Sequence, residues 1–231
     1  MKIIWRFSLT FLLLTLFLPV LASAQNEKKV AFGILLDNTG TLRTQFGNVQ
    51  ILGNAIAQSA SQRGFVSLFN FETSGDSKNP FAVVASGSEW SQDKSAFEKY
   101  IVGVKVVGGQ TTLLDAIRSI GKAVDAKATS EKLAEKIIVL VTDGEDRASE
   151  VTEKQLIKEL KESGVKVYAI GLVQELDSSR GFISDSSQNK SKSFLKKVTK
   201  ETGGNVIFPK LKKDTKVEDL LTELFAEATK K

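Results

Sequence analysis

Short runs of apolar residues alternate along this chain with longer stretches in which apolar positions recur every three or four residues. The short runs are typical of strands buried on both faces, and the longer spacing is typical of amphipathic helices. The apolar runs predict strands at 29–37, 65–71, 81–85, 136–141, 165–172 and 205–208.

Helical spacing of apolar residues follows most of these runs. It predicts helices that cover 46–56, 92–100, 113–124 and 217–228, together with two helices bounded by local signals. One of these begins at the N-cap Thr152 and stops at Gly164, and the other follows a serine-rich loop at 178–193 and ends near 202–204. Because strand and helix alternate almost throughout, we expect an α/β fold, a Rossmann-like three-layer sandwich with a mainly parallel central sheet and helices on both faces.

Residues 1–24 have the pattern of a signal peptide and are set apart from the fold. Lys2 and Arg6 make the start positive, 7–21 is almost wholly apolar, and the segment ends in Ala-Ser-Ala at Ala24. The apolar run is shorter than the ~20 residues that a spanning helix needs. We therefore expect cleavage after Ala24 and a secreted or periplasmic protein that has no stable membrane span.

The remaining residues, 25–231, have the length of one α/β domain and show no internal repeat. A chain of this length buries a full core without disulfides, which agrees with the absence of Cys. The formal charge of +5 falls to +3 without the two basic residues of the leader, and the lysines are spread out. A loose basic cluster at 190–213 has the pattern of a solvated face, so we expect no nucleic-acid partner.

Oxygen-bearing side chains stand where three predicted strands or loops meet the next helix. Asp37, Thr39 and Thr41 follow the first strand, Thr111 follows a Gly-Gly pair, and Asp143 follows the central strand. In an open α/β sheet, ligands bind outside the carboxyl ends of the strands, where these residues are expected to converge. Oxygen ligands suit Mg²⁺, Mn²⁺ or Ca²⁺, whereas a zinc site is disfavoured because the chain has no His and no Cys.

At these residues the chain resembles the von Willebrand factor type A family and its metal-ion-dependent adhesion site. The family pattern is Asp-x-Ser-x-Ser after the first strand, a Thr on a Gly-rich loop, and an Asp after the central strand. It falls here on Asp37, Thr39, Thr41, Thr111 and Asp143. The likeness continues in VKVYAIGL at 165–172 and in ETGGNVIFP at 201–209, so it covers nearly all of the chain after the leader.

The resemblance implies a non-catalytic binding module. In the family, the hydroxyls bind the metal directly and the aspartates act largely through water, so the cation accepts a carboxylate from a partner protein. Thr111 rather than Thr112 matches the family's Thr, because it stands four residues before Asp115 in the family's GGT-x-L-x-DAI arrangement. This chain has Thr39 and Thr41 where the family has Ser, which keeps the hydroxyl but adds a methyl group and stiffens χ1. The partner-binding residues are unknown.

Two other functions remain open. The stretch Asp37–Leu42 is also similar to the signature of phosphotransferases of the haloacid dehalogenase type, in which the first Asp is a nucleophile assisted by Mg²⁺. Against that reading, Asn38 and Thr39 stand where those enzymes have Lys or a second Asp. The other possibility is a metal-free scaffold of the von Willebrand type, which binds partners through its surface alone.

Each candidate residue also has a purely structural interpretation. Asp37 and Thr39 can cap the following helix, and Asp115 can be a helix-surface or capping residue. Glu145 and Asp146 are expected to be solvated. The sequence has neither a dinucleotide-binding glycine fingerprint nor a P-loop at its first strand–helix turn.

Overall fold

The computed structural model of the chain describes residues 29–75, 78–175, 186–212 and 214–226. The expected leader at 1–24 lies outside the described residues, and so does the part of the predicted serine-rich loop at 178–185. Within the described ranges, no helix has both the length and the apolar character that crossing a membrane requires.

One seven-stranded sheet forms the centre of the described structure, in the order β4-β3-β2-β1-β5-β6-β7. Its strands are β1 (Val30–Leu36), β2 (Gly64–Ser74), β3 (Phe81–Val84), β4 (Gln110–Thr111), β5 (Glu135–Thr142), β6 (Val165–Gly171) and β7 (Val206–Ile207). All neighbouring pairs are parallel except β2 and β3, which are antiparallel. The prediction of a mainly parallel sheet is confirmed.

Helices cover both faces of this sheet. They are α1 (Phe46–Ala60), α2 (Lys94–Gly103), α3 (Leu113–Glu131), α4 (Glu153–Ser163), α5 (Ser186–Thr202) and α6 (Val217–Phe225). One hydrophobic core contains residues of α3, α4 and α5, and a second contains residues of α1, α2 and α6. The predicted three-layer sandwich is therefore confirmed.

The central strand β1 explains why its sequence is apolar without alternation. Every residue of β1 is buried, and successive side chains enter opposite cores: Phe32 packs in the core of α1, and Ala31 in the core of α3. Gly33 allows α3 to approach closely, because a Cβ at this position would lie 2.5 Å from Ile120 Cγ2.

The segment around Thr111 differs from the prediction. It was expected to be a loop, but Gln110 and Thr111 form the two-residue strand β4, which pairs with Phe81 and Ala82 of β3. Hydrophobic periodicity cannot reveal so short a strand, because two residues show no period. A 3₁₀ turn, Gly40–Gln45, also separates β1 from α1, where the sequence predicted only a helix.

The register of the parallel strands brings Asp37 and Asp143 together at the carboxyl ends of β1 and β5. Leu36, the last residue of β1, lies opposite Val141 of β5. Asp37 and Thr142 therefore leave the two strands side by side, and Asp143 follows directly. Thr111 lies on β4, which pairs with β3 at the edge of the sheet.

The N-terminus of α4 offers a test of the predicted cap. The Thr152 hydroxyl accepts a hydrogen bond from the Gln155 N–H at 3.3 Å, and Gln155 Oε1 accepts one from the Thr152 N–H at 3.0 Å. We expect Thr152→Ala to lower the free energy of unfolding by about 1 kcal/mol in chemical denaturation. Thr129→Ala on the exposed face of α3 is the matched control, and equal losses in the two variants would contradict the capping role.

Candidate metal centre

Asp37 lies at the end of β1 and is completely buried. Its Oδ1 accepts hydrogen bonds from the Thr39 N–H at 3.1 Å and the Thr39 hydroxyl at 2.7 Å. Its Oδ2 accepts one from the Thr142 hydroxyl at 2.6 Å. Both carboxylate oxygens are thus engaged by groups from its own turn and from the neighbouring strand.

The two threonines after Asp37 face the same point. Thr39 Oγ1 and Thr41 Oγ1 are 3.2 Å apart, so one hydroxyl can donate to the other. Thr39 is almost fully buried, whereas Thr41 is partly exposed. Each hydroxyl oxygen keeps a lone pair when it donates, so the pair can offer two neutral oxygens to a cation.

Asp143 is 1 % exposed, and its two oxygens differ in their surroundings. Oδ1 accepts a hydrogen bond from the Glu145 N–H at 2.9 Å. Oδ2 is buried and has no hydrogen-bond partner among the described residues. A buried carboxylate oxygen without a partner costs free energy, so this atom is the part of the site that most needs a cation or a bound water.

Burial raises the pKa of both aspartates. The pKa of Asp143 rises from 3.8 to about 7, because of desolvation and then the charge of Asp37. The Thr41 hydroxyl, although outside hydrogen-bond geometry to Oδ2, lowers it in part, as does the Glu145 N–H. Desolvation also raises the pKa of Asp37, and the hydrogen bonds from Thr142 and Thr39 oppose that change. Two carboxylates therefore share one low-dielectric site, which favours a cation between or beside them.

The backbone of Thr111 is bonded to the loop that follows Asp143. Its carbonyl accepts hydrogen bonds from Arg147 N–H at 2.9 Å and Ala148 N–H at 3.1 Å, so β4 and the loop after β5 are held together. The Thr112 hydroxyl instead donates to the carbonyl of Ala82 at 2.8 Å. Gly109, with φ +113°, makes the approach to β4 possible, because a Cβ there would lie 2.7 Å from the carbonyl oxygen of Pro80.

Asn38 is a residue of the site that sequence reasoning missed. Its side chain donates to the carbonyls of Phe71 and Lys105 and accepts the Phe71 N–H at 2.8 Å. Its own carbonyl accepts the Val107 N–H at 2.9 Å. Asn38 therefore fixes the turn of Asp37 and Thr39 against β2 and the segment after α2. Its place between two candidate ligands was the available signal.

Asp115 and Asp146 fasten the loop after β5 to the start of α3. Asp115 accepts the N–H groups of Glu150 at 2.8 Å and Val151 at 3.1 Å, and Asp146 accepts the Leu114 N–H at 3.1 Å. The expectation that Asp146 is solvated is wrong, because it caps the N-terminus of α3. Glu145 is not simply solvated either, since it forms an ion pair with Arg147 at 2.7 Å.

The donor set fits a hard cation. Hydrogen bonds link Asp37 to Thr39 and Thr142, and Thr39 to Thr41; Asp143 follows Thr142 along the chain, and Thr111 lies on β4. Among the described residues, no cluster of three or more His, Cys, Asp or Glu side chains could hold a metal. Any cation here therefore depends on threonine hydroxyls as well as on the two carboxylates, and the unpartnered Asp143 Oδ2 is the structural feature that supports it.

The raised pKa values predict how the metal-free protein responds to pH. Because the folded chain holds protons on this pair that the unfolded chain has released, the free energy of unfolding falls as pH rises from about 4 to about 7. The loss is at most about 1.4 kcal/mol per pH unit for one proton. Denaturation in a chelator across this range should show the fall in the wild type and a flatter profile in Asp143→Asn. Parallel profiles would contradict the assignment.

Comparison with known proteins agrees with this geometry. The family model of the von Willebrand factor type A domain matches residues 34–223. The matched residues include Asp37–Leu42, the stretch that is also similar to the signature of phosphotransferases of the haloacid dehalogenase type. The match favours the von Willebrand factor type A fold over the phosphotransferase fold. Comparison with curated protein sequences gives no match to this chain.

Solved structures show the same fold at low identity. An aerotolerance-related membrane protein from Bacteroides fragilis, with multiple mutations to serines, is 16 % identical with a TM-score of 0.59, over 87 % of this chain and 100 % of the other. The pilus adhesin SpaC from Lactobacillus rhamnosus GG is 15 % identical with a TM-score of 0.57, over 88 % of this chain and 30 % of the adhesin. Manganese-loaded TRAP protein from Plasmodium vivax is 14 % identical with a TM-score of 0.50, over 86 % and 72 %. Because the family model spans most of the chain and the fold agrees with it, this protein belongs to the von Willebrand factor type A domain family.

Proposed function

We propose that this protein is an exported, non-catalytic binding module that binds another protein through a divalent cation. The cation is Mg²⁺, with Mn²⁺ or Ca²⁺ able to replace it, and its ligands are Asp37, Thr39, Thr41, Thr111 and Asp143. The observation that carries the proposal is the buried, unpartnered Oδ2 of Asp143 beside a second buried carboxylate.

The electrostatics favour a cation over an empty site. Without one, Asp37 and Asp143 repel each other in a place from which water is largely excluded. A cation offsets both the desolvation and the repulsion, and it gives Asp143 Oδ2 a partner. When bound, it supplies an open coordination position that a carboxylate of the partner can fill.

The geometry of Asp37 disfavours nucleophilic catalysis. A carboxylate that attacks phosphorus needs an oxygen that a substrate can reach, whereas Asp37 is fully buried and both its oxygens accept hydrogen bonds. These bonds come from Thr39 and Thr142, which hold the carboxylate in the wall of the site. A carboxylate held in this way agrees with a ligand in a binding module rather than with a nucleophile.

The structural neighbours add support from outside the chain. One of them is described as a pilus adhesin and another as a manganese-loaded protein. These are properties of those proteins, and the identities of 15 % and 14 % are low. Within one family, they favour a binding function and a divalent metal for this protein also.

Metal binding is tested by thermal unfolding. We expect millimolar Mg²⁺ to raise the melting temperature, because a ligand bound only to the folded state at 100 times its Kd contributes about 2.7 kcal/mol. Thr111→Val and Asp37→Ala should abolish the shift. Thr112→Val is the matched control: its hydroxyl bonds to Ala82 O, so this variant should lose stability but keep the metal response.

Two outcomes would contradict the metal site. The absence of a shift in the wild type with Mg²⁺, Mn²⁺ or Ca²⁺ would favour the metal-free scaffold. Loss of the response in Thr112→Val but not in Thr111→Val would show that the wrong threonine has been assigned. Calorimetric titration with Mn²⁺ provides a second readout that does not depend on stability.

Partner binding is tested with the residues 25–231 immobilised as bait for exported proteins. We expect at least one protein to be retained in Mg²⁺, released by EDTA, and not retained by Thr41→Val. The Thr129→Ala variant, which changes a remote exposed threonine of α3, is the matched control and should retain it. Retention that is unaffected by EDTA would contradict a metal-bridged carboxylate.

A phosphatase assay separates the module from the enzyme. Turnover of p-nitrophenyl phosphate with Mg²⁺, lost in Asp37→Asn, would contradict the non-catalytic proposal and favour the phosphotransferase. The proposal expects no turnover in either protein.

A further inference from the structure

A groove of about 740 Å³ lies between α2, the end of β2 and the segment 88–91. Phe71, Phe97 and Val104 contribute apolar surface, and Trp90 and Tyr100 add two aromatic rings that are only partly buried. Large, partly exposed aromatic side chains are typical of the anchoring points of protein interfaces. We call this cavity the α2 groove.

The α2 groove lies next to the turn that carries Asn38 and Thr39. Val107, one of its lining residues, pairs with Thr39 in an isolated parallel bridge, and its N–H donates to Asn38 O at 2.9 Å. Paired backbones lie about 4.8 Å apart. Asn38 also bonds to the backbones of Phe71 and Lys105, which line the groove. The groove and the metal centre thus share a wall.

The mouth of the α2 groove has charges of both signs. Glu72, Glu89, Lys99 and Lys105 are exposed, and none of the ion pairs found among the described residues includes them. Tyr100 donates to Asn70 Oδ1 at 2.6 Å and so holds its ring against the end of β2. An apolar floor with a polar rim is the arrangement of a protein-binding surface, in which buried side chains give affinity and the rim aligns the partner.

We propose that the α2 groove receives a bulky apolar side chain, preferably aromatic, of the same polypeptide whose carboxylate binds at the metal centre. This inference rests on the proposed function and names the partner segment: an acidic residue with an aromatic residue a few positions away. An extended chain advances about 3.3 Å per residue, so a few residues are enough to pass from the wall at Thr39 and Val107 into the groove.

Substitution of Gly103 provides a way to fill the α2 groove without disturbing the fold. Gly103 lines the groove on α2, and a Cβ added there meets nothing within 4 Å. Gly103→Trp should therefore occupy the groove. Gly47 on α1 is the matched control, because it is also exposed, helical and free of neighbours within 4 Å. Ala96→Trp, at another exposed lining residue of α2, is a second filling variant.

The experiment uses a displayed library of random peptides, selected on the wild-type protein in millimolar Mg²⁺ and eluted with EDTA. Selected peptides are then synthesised, and their binding is measured by fluorescence polarisation. We expect an acidic and an aromatic residue at a constant spacing. Binding should be lost in EDTA, weakened at least about tenfold by Gly103→Trp or Ala96→Trp, and unchanged by Gly47→Trp.

Other outcomes overturn the inference, and they separate it from the proposed function. Peptides that need Mg²⁺ but bind the groove-filled variants normally would leave the metal-bridged function intact and exclude the groove. Peptides that need the groove but not Mg²⁺ would contradict both. Failure to select any peptide would overturn this inference alone, because the thermal test with Mg²⁺ is independent of it. Dimers of the wild type that Gly103→Trp dissociates would show a second copy in the groove.

Discussion

The burial of two carboxylates at the carboxyl ends of β1 and β5 is the constraint on which the rest of the site depends. Asp37 leaves β1 beside Thr142 of β5, and Asp143 is the next residue, so the β1–β5 register brings the two aspartates to the same end of the sheet. Their charges are unfavourable there unless hydrogen bonds or a cation compensate. Thr39 and Thr142 satisfy Asp37, whereas Asp143 keeps one oxygen unsatisfied. The folded domain thus keeps a buried, incompletely hydrogen-bonded carboxylate, which a divalent cation can stabilise.

The loops that carry these residues are held by backbone contacts with side chains outside the ligand set. Asn38 connects the first loop to β2 and to the segment after α2, and Asp115 and Asp146 connect the last loop to α3. A metal centre needs ligands held in place before the cation arrives, and supporting hydrogen bonds of this kind provide that order. At the proposed metal centre, substitution of these supporting residues is therefore expected to lower the affinity for a cation.

Much of the fold could be predicted because its signals are local. The uninterrupted apolar β1 and the cap at Thr152 each follow from a few neighbouring residues, and the structure agrees with both. The two-residue strand at Thr111 could not be predicted, since its pairing with β3 depends on residues far along the chain. The same reason explains the error at Asp146, which looks solvated in sequence but accepts the N–H of Leu114. The supporting contacts of the site are long-range, and periodicity carries no information about them.

The two edges of the sheet affect how this protein can bind other proteins. Both edge strands, β4 and β7, are only two residues long. A longer unpaired edge would present a row of free backbone groups to any extended chain, which is a common route to misassembly and also a common mode of peptide capture by strand addition. The two-residue strands at the edges offer little backbone for strand addition. Surface substitutions in side chains and loops can therefore change what this domain binds while leaving the sheet untouched.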